Sequence, residues 1–245
     1  MRVDILSLFP EYFQGPFDVS ILKRARESKL LDIRLVDIRK FAQSKDQNRD
    51  QNRDRGKYVK VDDRPYGGGP GMVLMPEPIC EAIRSVKSDV KCDRSHVVYL
   101  SPQGKKLTAA KCQELSTKEH LVLLCGHYEG VDERALKEID EEISIGDYVL
   151  TNGCLAAIVL VDAMARFIPG VLGHEEAAGQ DSFQEGIFDA PHYTRPEVFE
   201  GIAVPEVLRS GDHAKIAKWR RQRALAKTKQ VRPELILKEN LDETE

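Results

Sequence analysis

Three apolar runs in the middle of the chain each end at a glycine-bearing turn, and each is followed by a helix-like stretch. No other feature narrows the fold so far. Residues 96–100 lead into Ser101-Pro102-Gln103-Gly104, and residues 121–125 lead into Gly126-His127-Tyr128-Glu129-Gly130. Residues 143–150, with Ser144-Ile145-Gly146-Asp147-Tyr148, lead into Thr151-Asn152-Gly153. Helices are predicted over 105–118, 131–139 and 155–168. Strands alternating with helices indicate an α/β fold, with a sheet carrying helices on its faces. The N-terminal part adds a strand over 3–9 closed by Pro10, an amphipathic helix over 19–31, a half-buried strand over 33–38 and a helix over 76–86.

In open sheets of this kind, ligands collect beyond the carboxyl ends of the strands. The three turns stand at such ends and can bring backbone N–H and C=O groups close to a ligand. Together they outline a pocket built largely of main chain, suited to the donor and acceptor edges of a nucleoside. No G-x-G-x-x-G follows a strand and no G-x-x-x-x-G-K-[ST] occurs, so neither a dinucleotide fingerprint nor a P-loop is signalled. The stretch Pro65-Tyr66-Gly67-Gly68-Gly69-Pro70-Gly71 reads either as a tight structural turn or as a ligand-approaching loop.

Composition excludes several classes. No apolar run reaches the roughly 18–20 residues of a membrane span. The first residues lack a signal peptide's apolar core, so a cytoplasmic protein is expected. Cys80, Cys92, Cys112, Cys125 and Cys154 are odd in number and none are paired at C-x-x-C spacing, so buried thiols are expected rather than disulfides or zinc ligands. The net charge of −3 hides an uneven distribution. Between residues 205 and 233 the chain is strongly basic, and between 132 and 147 strongly acidic. Residues 45–56, with the direct repeat Gln47-Asn48-Arg49-Asp50 and Gln51-Asn52-Arg53-Asp54, read as a surface loop lengthened by duplication. Residues 171–185 show no period and read as a mobile loop. Residues 204–241 read as helical, with breaks at Ser210-Gly211 and Arg232-Pro233 and with Asp212 as a helix cap.

At this point longer motifs match a family. They are Val61-Asp62-Asp63-Arg64-Pro65-Tyr66 through Met72, Tyr99-Leu100-Ser101-Pro102-Gln103-Gly104, Tyr128-Glu129-Gly130-Val131-Asp132-Glu133-Arg134, Ser144-Ile145-Gly146-Asp147-Tyr148-Val149-Leu150, Arg166-Phe167-Ile168-Pro169-Gly170, and Pro191-His192-Tyr193-Thr194-Arg195-Pro196. The chain resembles the bacterial tRNA (guanine-37-N1)-methyltransferases, a dimeric branch of the knotted SPOUT class, from Leu8-Phe9-Pro10-Glu11 almost to the C-terminus. Strand–helix alternation does not itself suggest a knot. The resemblance implies one, a C-terminal trefoil knot in a parallel α/β domain over 1–172. It also implies a flexible loop over 173–187 and a small helical tRNA-binding domain over 188–245.

The resemblance implies S-adenosylmethionine as methyl donor, tRNA as substrate and a homodimer with each active site between two subunits. It admits magnesium near Glu129, although the sequence carries no metal signature. The donor-binding residues it implies are Tyr99, Leu100, Ser101, Pro102, Gly126, Tyr128, Glu129, Gly130, Ile145, Gly146, Tyr148, Leu150 and Gly153. Guanine N1 holds a proton at neutral pH and must lose it to attack a methyl group. Asp181 matches the family's proposed general base. Arg166 matches the cation that stabilises charge on O6, and Glu129 is the third catalytic candidate. Arg24 and Asp62 match positions tied to tRNA handling, and Lys215, Lys218, Arg220, Arg221 and Arg223 are suited to RNA phosphates.

Each assignment has a plainer rival on its residues alone. Asp181 is then a solvated acid, Arg166 a cation at a helix end, Glu129 a cap for a helix starting near 131, and Tyr128 a core side chain. His127 and His192 read as satisfied structural histidines, and Trp219 as core. The chain also departs from the family, with Asn152-Gly153-Cys154-Leu155-Ala156 where Gly-Gly-Glu-Leu-Pro is usual and His127 where Arg is common. A non-catalytic RNA-binding relative and a methylase acting on rRNA or on a ribose hydroxyl are the rival functions.

Overall fold

The structure is a computed structural model that describes residues 1–42, 59–90, 95–173 and 178–236. The duplicated segment and Cys92 lie outside the described residues. The chain divides into two compact units, residues 1–173 and residues 174–245.

The first unit is built on strands β1 (Arg2–Ser7), β2 (Asp32–Asp37), β5 (Ser95–Lys106), β6 (His120–Cys125) and β7 (Glu141–Ser144). They form one sheet in the order β2-β1-β6-β5-β7, with every neighbouring pair parallel. Helices α1 (Ser20–Glu27), α2 (Pro76–Ser88), α3 (Ala109–Ser116) and α4 (Cys154–Ala165) connect and cover it. A two-stranded ribbon, β3 (Asp62–Asp63) and β4 (Val73–Leu74), stands apart from the sheet.

The period of two along each strand sorts side chains into two cores. Val3, Ile5, Leu121, Leu123, Val98 and Leu100 face one way, packing with Leu22 of α1, Leu115 of α3 and Leu160 and Met164 of α4. Leu6, Val97, Val122 and Leu124 face the other way, against Ile79, Ala82 and Ile83 of α2. β6 is buried at every residue, as a central parallel strand should be. Each fully buried Leu or Ile contributes about 1.5–3 kcal/mol.

Buried polar side chains meet within this sheet. His120 and Asp4, both fully buried, meet at 2.6 Å, and Ser95 Oγ lies 2.7 Å from His120 Nδ1. Such pairing offsets the cost of removing charge and dipole from water.

Two sequence expectations change here. Residues 101–104 are not a turn between a strand and a helix. β5 runs on to Lys106, and its register against β7 slips between Leu100 and Lys105, so these four residues form an irregularity within a long strand. Ser-Pro-Gln-Gly carries turn chemistry, but Gly104 lets the strand pass within touching distance of β7. A Cβ at Gly104 would sit 2.4 Å from the Glu142–Ile143 backbone. The helix expected over 131–139 is a 3-10 turn, Glu133–Glu138, whose cap is Asp132 rather than Glu129.

The second unit holds α5 (Glu206–Arg209) and α6 (His213–Val231). It also holds a hairpin not expected from the sequence, β8 (Val198–Phe199) paired antiparallel with β9 (Ile202–Ala203). Asp212 caps α6 by accepting from the Lys215 amide.

Candidate functional site

The carboxyl ends of β5, β6 and β7 open on a cavity of about 440 Å³. Every donor-site residue named from the resemblance lines it: Tyr99, Leu100, Ser101, Pro102, Gly126, Tyr128, Glu129, Gly130, Ile145, Gly146, Tyr148, Leu150 and Gly153. The lining also includes Gln103, His127, Val131, Glu133, Leu136, Glu142, Ile143, Ser144, Val149, Thr151, Asn152 and Ala156, none of them in the donor-residue set that the resemblance implies.

Main-chain packing shapes the walls. The Gly153 amide donates to the Gly126 carbonyl at 2.8 Å, and His127 pairs with Asn152 across the same antiparallel contact. A Cβ on Gly153 would lie 2.9 Å from Cys125 Cα and from the Gly126 nitrogen, so the two segments meet only because position 153 has no side chain. Ser144 Oγ accepts from the Gly146 amide at 3.2 Å and donates to the Gly146 carbonyl at 3.0 Å, fixing the loop after β7. Tyr128 sits at φ +56°, a costly angle for an aromatic residue, with its ring half exposed on the cavity.

The glycine-rich stretch finds its place against this cavity. The Glu129 amide donates to the Met72 carbonyl at 3.0 Å, and the Leu74 amide to the Gly130 carbonyl at 3.0 Å. Gly71 is favoured by its φ of +86°, and a Cβ there would fall 2.4 Å from Glu129 Oε1, displacing that side chain. The end of the stretch, Gly71 and Met72, thus meets the loop that bears Glu129, whereas a Cβ at Gly67, Gly68 or Gly69 would touch nothing within 4 Å. Asp62, on β3 of the same ribbon, is 6% exposed, and Arg24 is exposed on α1.

Electrostatics set what these groups can do. Burial pushes the Tyr99 phenol up to about 12, so it stays neutral. Among the described residues no group of three His, Cys, Asp or Glu could hold a metal ion.

The family departures acquire roles. Asn152 Oδ1 accepts from the Cys154 amide at 2.8 Å, serving the start of α4. Cys154 is buried, with its sulfur 3.1 Å from Ser7 Oγ. Hydrogen bonding from Cys125, aided by Ser7 and opposed by burial, draws its thiol down to about 7. Cys80, Cys112, Cys125 and Cys154 are all buried and free, as the sequence indicated.

Arg166 lies at the C-terminal cap of α4 and is half-buried. Asp181 belongs to the second unit, in a turn where the Gln184 amide donates to the Asp181 carbonyl at 3.3 Å and the Phe183 amide to the Ile187 carbonyl at 2.8 Å. On α6, Lys215, Lys218, Arg220, Arg221 and Arg223 are all exposed. Lys215 pairs with Asp212 at 3.0 Å and Arg221 with Glu185 at 3.0 Å. Trp219 is only half-buried, with Arg223 over its ring at 5.7 Å and Tyr193 at 6.3 Å, so it is not the core residue that was expected. His192 is satisfied by Asp189 at 2.8 Å. His127 is not satisfied: its Nδ1 is buried and lacks a hydrogen-bond partner among the described residues.

The model of a family described as tRNA (Guanine-1)-methyltransferase TrmD matches residues 1–238. A protein of Protochlamydia amoebophila (strain UWE25), named tRNA (guanine-N(1)-)-methyltransferase, is 62% identical over 237 residues, covering 96% of this chain and 100% of that protein. Proteins of the same name from Chlamydia muridarum and Chlamydia trachomatis serovar D are 57% and 56% identical, each alignment covering 97% of this chain. The chain spans 63% of the length of either Chlamydia protein.

Proposed function

Because the chain belongs to the tRNA (guanine-1)-methyltransferase family, we propose that its cavity holds S-adenosylmethionine and that the methyl group goes to N1 of the guanine 3′ to a tRNA anticodon. The observation that carries this reading is the convergence of all the donor-site residues on one glycine-walled cavity at the strand ends. A side chain at Gly153 would fill part of that wall, and the main-chain groups exposed there suit an adenosyl ligand. Bound there, S-adenosylmethionine supplies a methyl group already activated on a sulfonium.

The protein's part is to position and to manage charge. Asp181 takes the N1 proton of guanine through its carboxylate, and a positioned base of this kind contributes roughly 10²–10⁴-fold. Arg166 stabilises the negative charge that moves to O6 as that proton leaves. The cavity walls align donor and acceptor, which supplies much of the remaining rate. Glu129, braced by Met72 and Gly71, orients the donor's methionine end. The exposed cations of α6 neutralise tRNA phosphates.

The homodimer belongs to the same reading, with Arg166 and Asp181 of one protomer serving the donor held by the other. Leu155 and Val159, one helical turn apart on α4, are each 45% exposed, an apolar face that a second copy would cover. The trefoil knot is part of the same reading and rests on the family match alone. No helix among the described residues is long and apolar enough to cross a membrane, and a cytoplasmic location fits a tRNA substrate. The test is methylation of an unmodified tRNA transcript with guanine at that position, followed by nucleoside mapping. The product expected is 1-methylguanosine there. Donor binding without methyl transfer would favour the non-catalytic reading, and a ribose methyl would favour the related methylase.

A further inference from the structure

His127 is the one cavity residue whose side chain carries a buried nitrogen without a hydrogen-bond partner among the described residues. Its backbone is fixed by the pairing with Asn152. Its ring stands 5.1 Å from Phe9 and 4.3 Å, edge-on, from Tyr128. Both flanking rings reach solvent, Phe9 at 36% exposure and Tyr128 at 48%. Burial lowers the imidazole's pKa, and Asp62 opposes that shift only in part, so the ring is neutral at pH 7. A neutral imidazole carries one donor and one acceptor nitrogen. Leaving a nitrogen unpaired in a buried place is a cost that a ligand's hydrogen bond would relieve. Asp62, itself nearly buried, sits on the ribbon that is hydrogen-bonded to the same loop through Leu74 and Gly130.

We propose that His127 is an RNA-contacting residue: Phe9, His127 and Tyr128 form an aromatic seat for a base of the incoming tRNA, and the His127 ring turns to uncover its buried Nδ1 and hydrogen-bond the edge of that base. A flat, unstacked base suits such a seat, because single-stranded RNA is recognised by stacking and by hydrogen bonds to exposed base edges. The proposal rests on the methyltransferase reading for the identity of the RNA. It adds a contact made by a residue that departs from the family pattern. Where an arginine would hold a fixed charge, this chain offers a neutral, directional group beside a buried carboxylate.

The experiment compares the full-length protein with His127→Phe, which keeps the ring and removes both nitrogens, and His127→Asn, which keeps a polar atom near the Nδ1 position. Three quantities are measured: tRNA Kd by filter binding, single-turnover rate at saturating tRNA, and Kd for S-adenosylhomocysteine by calorimetry. His127→Phe should weaken tRNA binding roughly tenfold, the worth of one hydrogen bond, a larger factor than its effect on the single-turnover rate or on the S-adenosylhomocysteine Kd. His127→Asn should recover most of the loss. Wild-type tRNA affinity in His127→Phe would overturn the proposal. So would a loss confined to S-adenosylhomocysteine, which would assign the nitrogen to the donor instead, or an Asn variant no better than Phe. If the wild-type protein binds tRNA without methylating it, the methyltransferase reading fails, while the two variants still decide the role of His127 in binding.

Discussion

Residues 1–173 bury side chains along almost every strand and helix, whereas residues 174–245 bury only Ala178, Ile187, Ala190, Ala224 and Thr228 among the described residues. The first unit has a two-sided core and a cavity walled by main chain. The second presents a helix with five exposed candidate RNA-binding cations and a hairpin with exposed Val198, Phe199 and Ile202. What holds the second unit together is largely polar and local. Thr228 Oγ1 accepts from the Phe188 amide at 2.8 Å while donating to the Ala224 carbonyl at 2.8 Å, and Ser182 Oγ accepts from the Asp189 amide at 3.0 Å. The contrast teaches a division of labour. A rigid packed scaffold suits a small ligand that must be held to fractions of an ångström. A charged, sparsely buried surface suits a long polyanion read mostly through its phosphates.

That division can be broken by mutation, and the largest effect expected is on chemistry alone. Asp181→Asn should lower the single-turnover methylation rate by roughly 10²–10⁴-fold and leave donor affinity unchanged in calorimetry. A matching loss of donor binding would show that the second unit helps to build the donor site. Arg166→Ala should cost roughly 10²–10³-fold in the same assay, the usual worth of a group that stabilises developing negative charge.

Gly153→Ala tests the other side of the comparison. The added methyl group must displace the Cys125–Gly126 backbone. Overpacking of this kind costs about 1–3 kcal/mol, so donor affinity should fall and thermal unfolding should begin several degrees lower, at roughly 2–8 °C below the parent. An alanine variant with unchanged donor affinity would mean that the wall at 153 does not shape the ligand.

The smallest effect belongs to α6. No ion pair among the described residues holds Lys218 or Arg220, so both are available to phosphates. Replacing both by Ala should weaken tRNA binding modestly and reduce the salt slope of log Kd by about 2, with donor affinity flat at every salt concentration. An unaltered slope would place the RNA path elsewhere.

Much of the first unit is legible in the sequence, for a physical reason. After His120, β6 is an uninterrupted apolar run, and Gly126 beyond its end marks a turn, so both strand and cavity wall can be read locally. Strand order cannot, because β1 pairs with β6 across more than a hundred residues of chain. The continuation of β5 through Ser101-Pro102-Gln103-Gly104 was hidden by residues that favour turns. Only the contact of Gly104 with β7, a tertiary event, explains them.

The hairpin in the second unit left a readable signal. Two short apolar pairs flank Glu200-Gly201, and both of those residues adopt positive φ, as a tight hairpin turn requires. The candidate donor-site residues can be named because the motifs that carry the family resemblance fall at strand ends. Asp181 and Arg166 could be named only through the family resemblance, since neither a loop acid nor a helix-end cation identifies itself. The unpaired nitrogen of His127 had no sequence signal at all, because pairing depends on which atoms the fold brings near.

The most direct test of the central claim is to locate the methyl group. The protein is incubated with S-adenosylmethionine and an unmodified tRNA transcript, and the product is digested and mapped by mass spectrometry. Base methylation at N1 of the guanine 3′ to the anticodon, lost in Asp181→Asn while donor binding persists, is the expected result. A methyl group on a ribose or on another base, or full activity in Asp181→Asn, would contradict it.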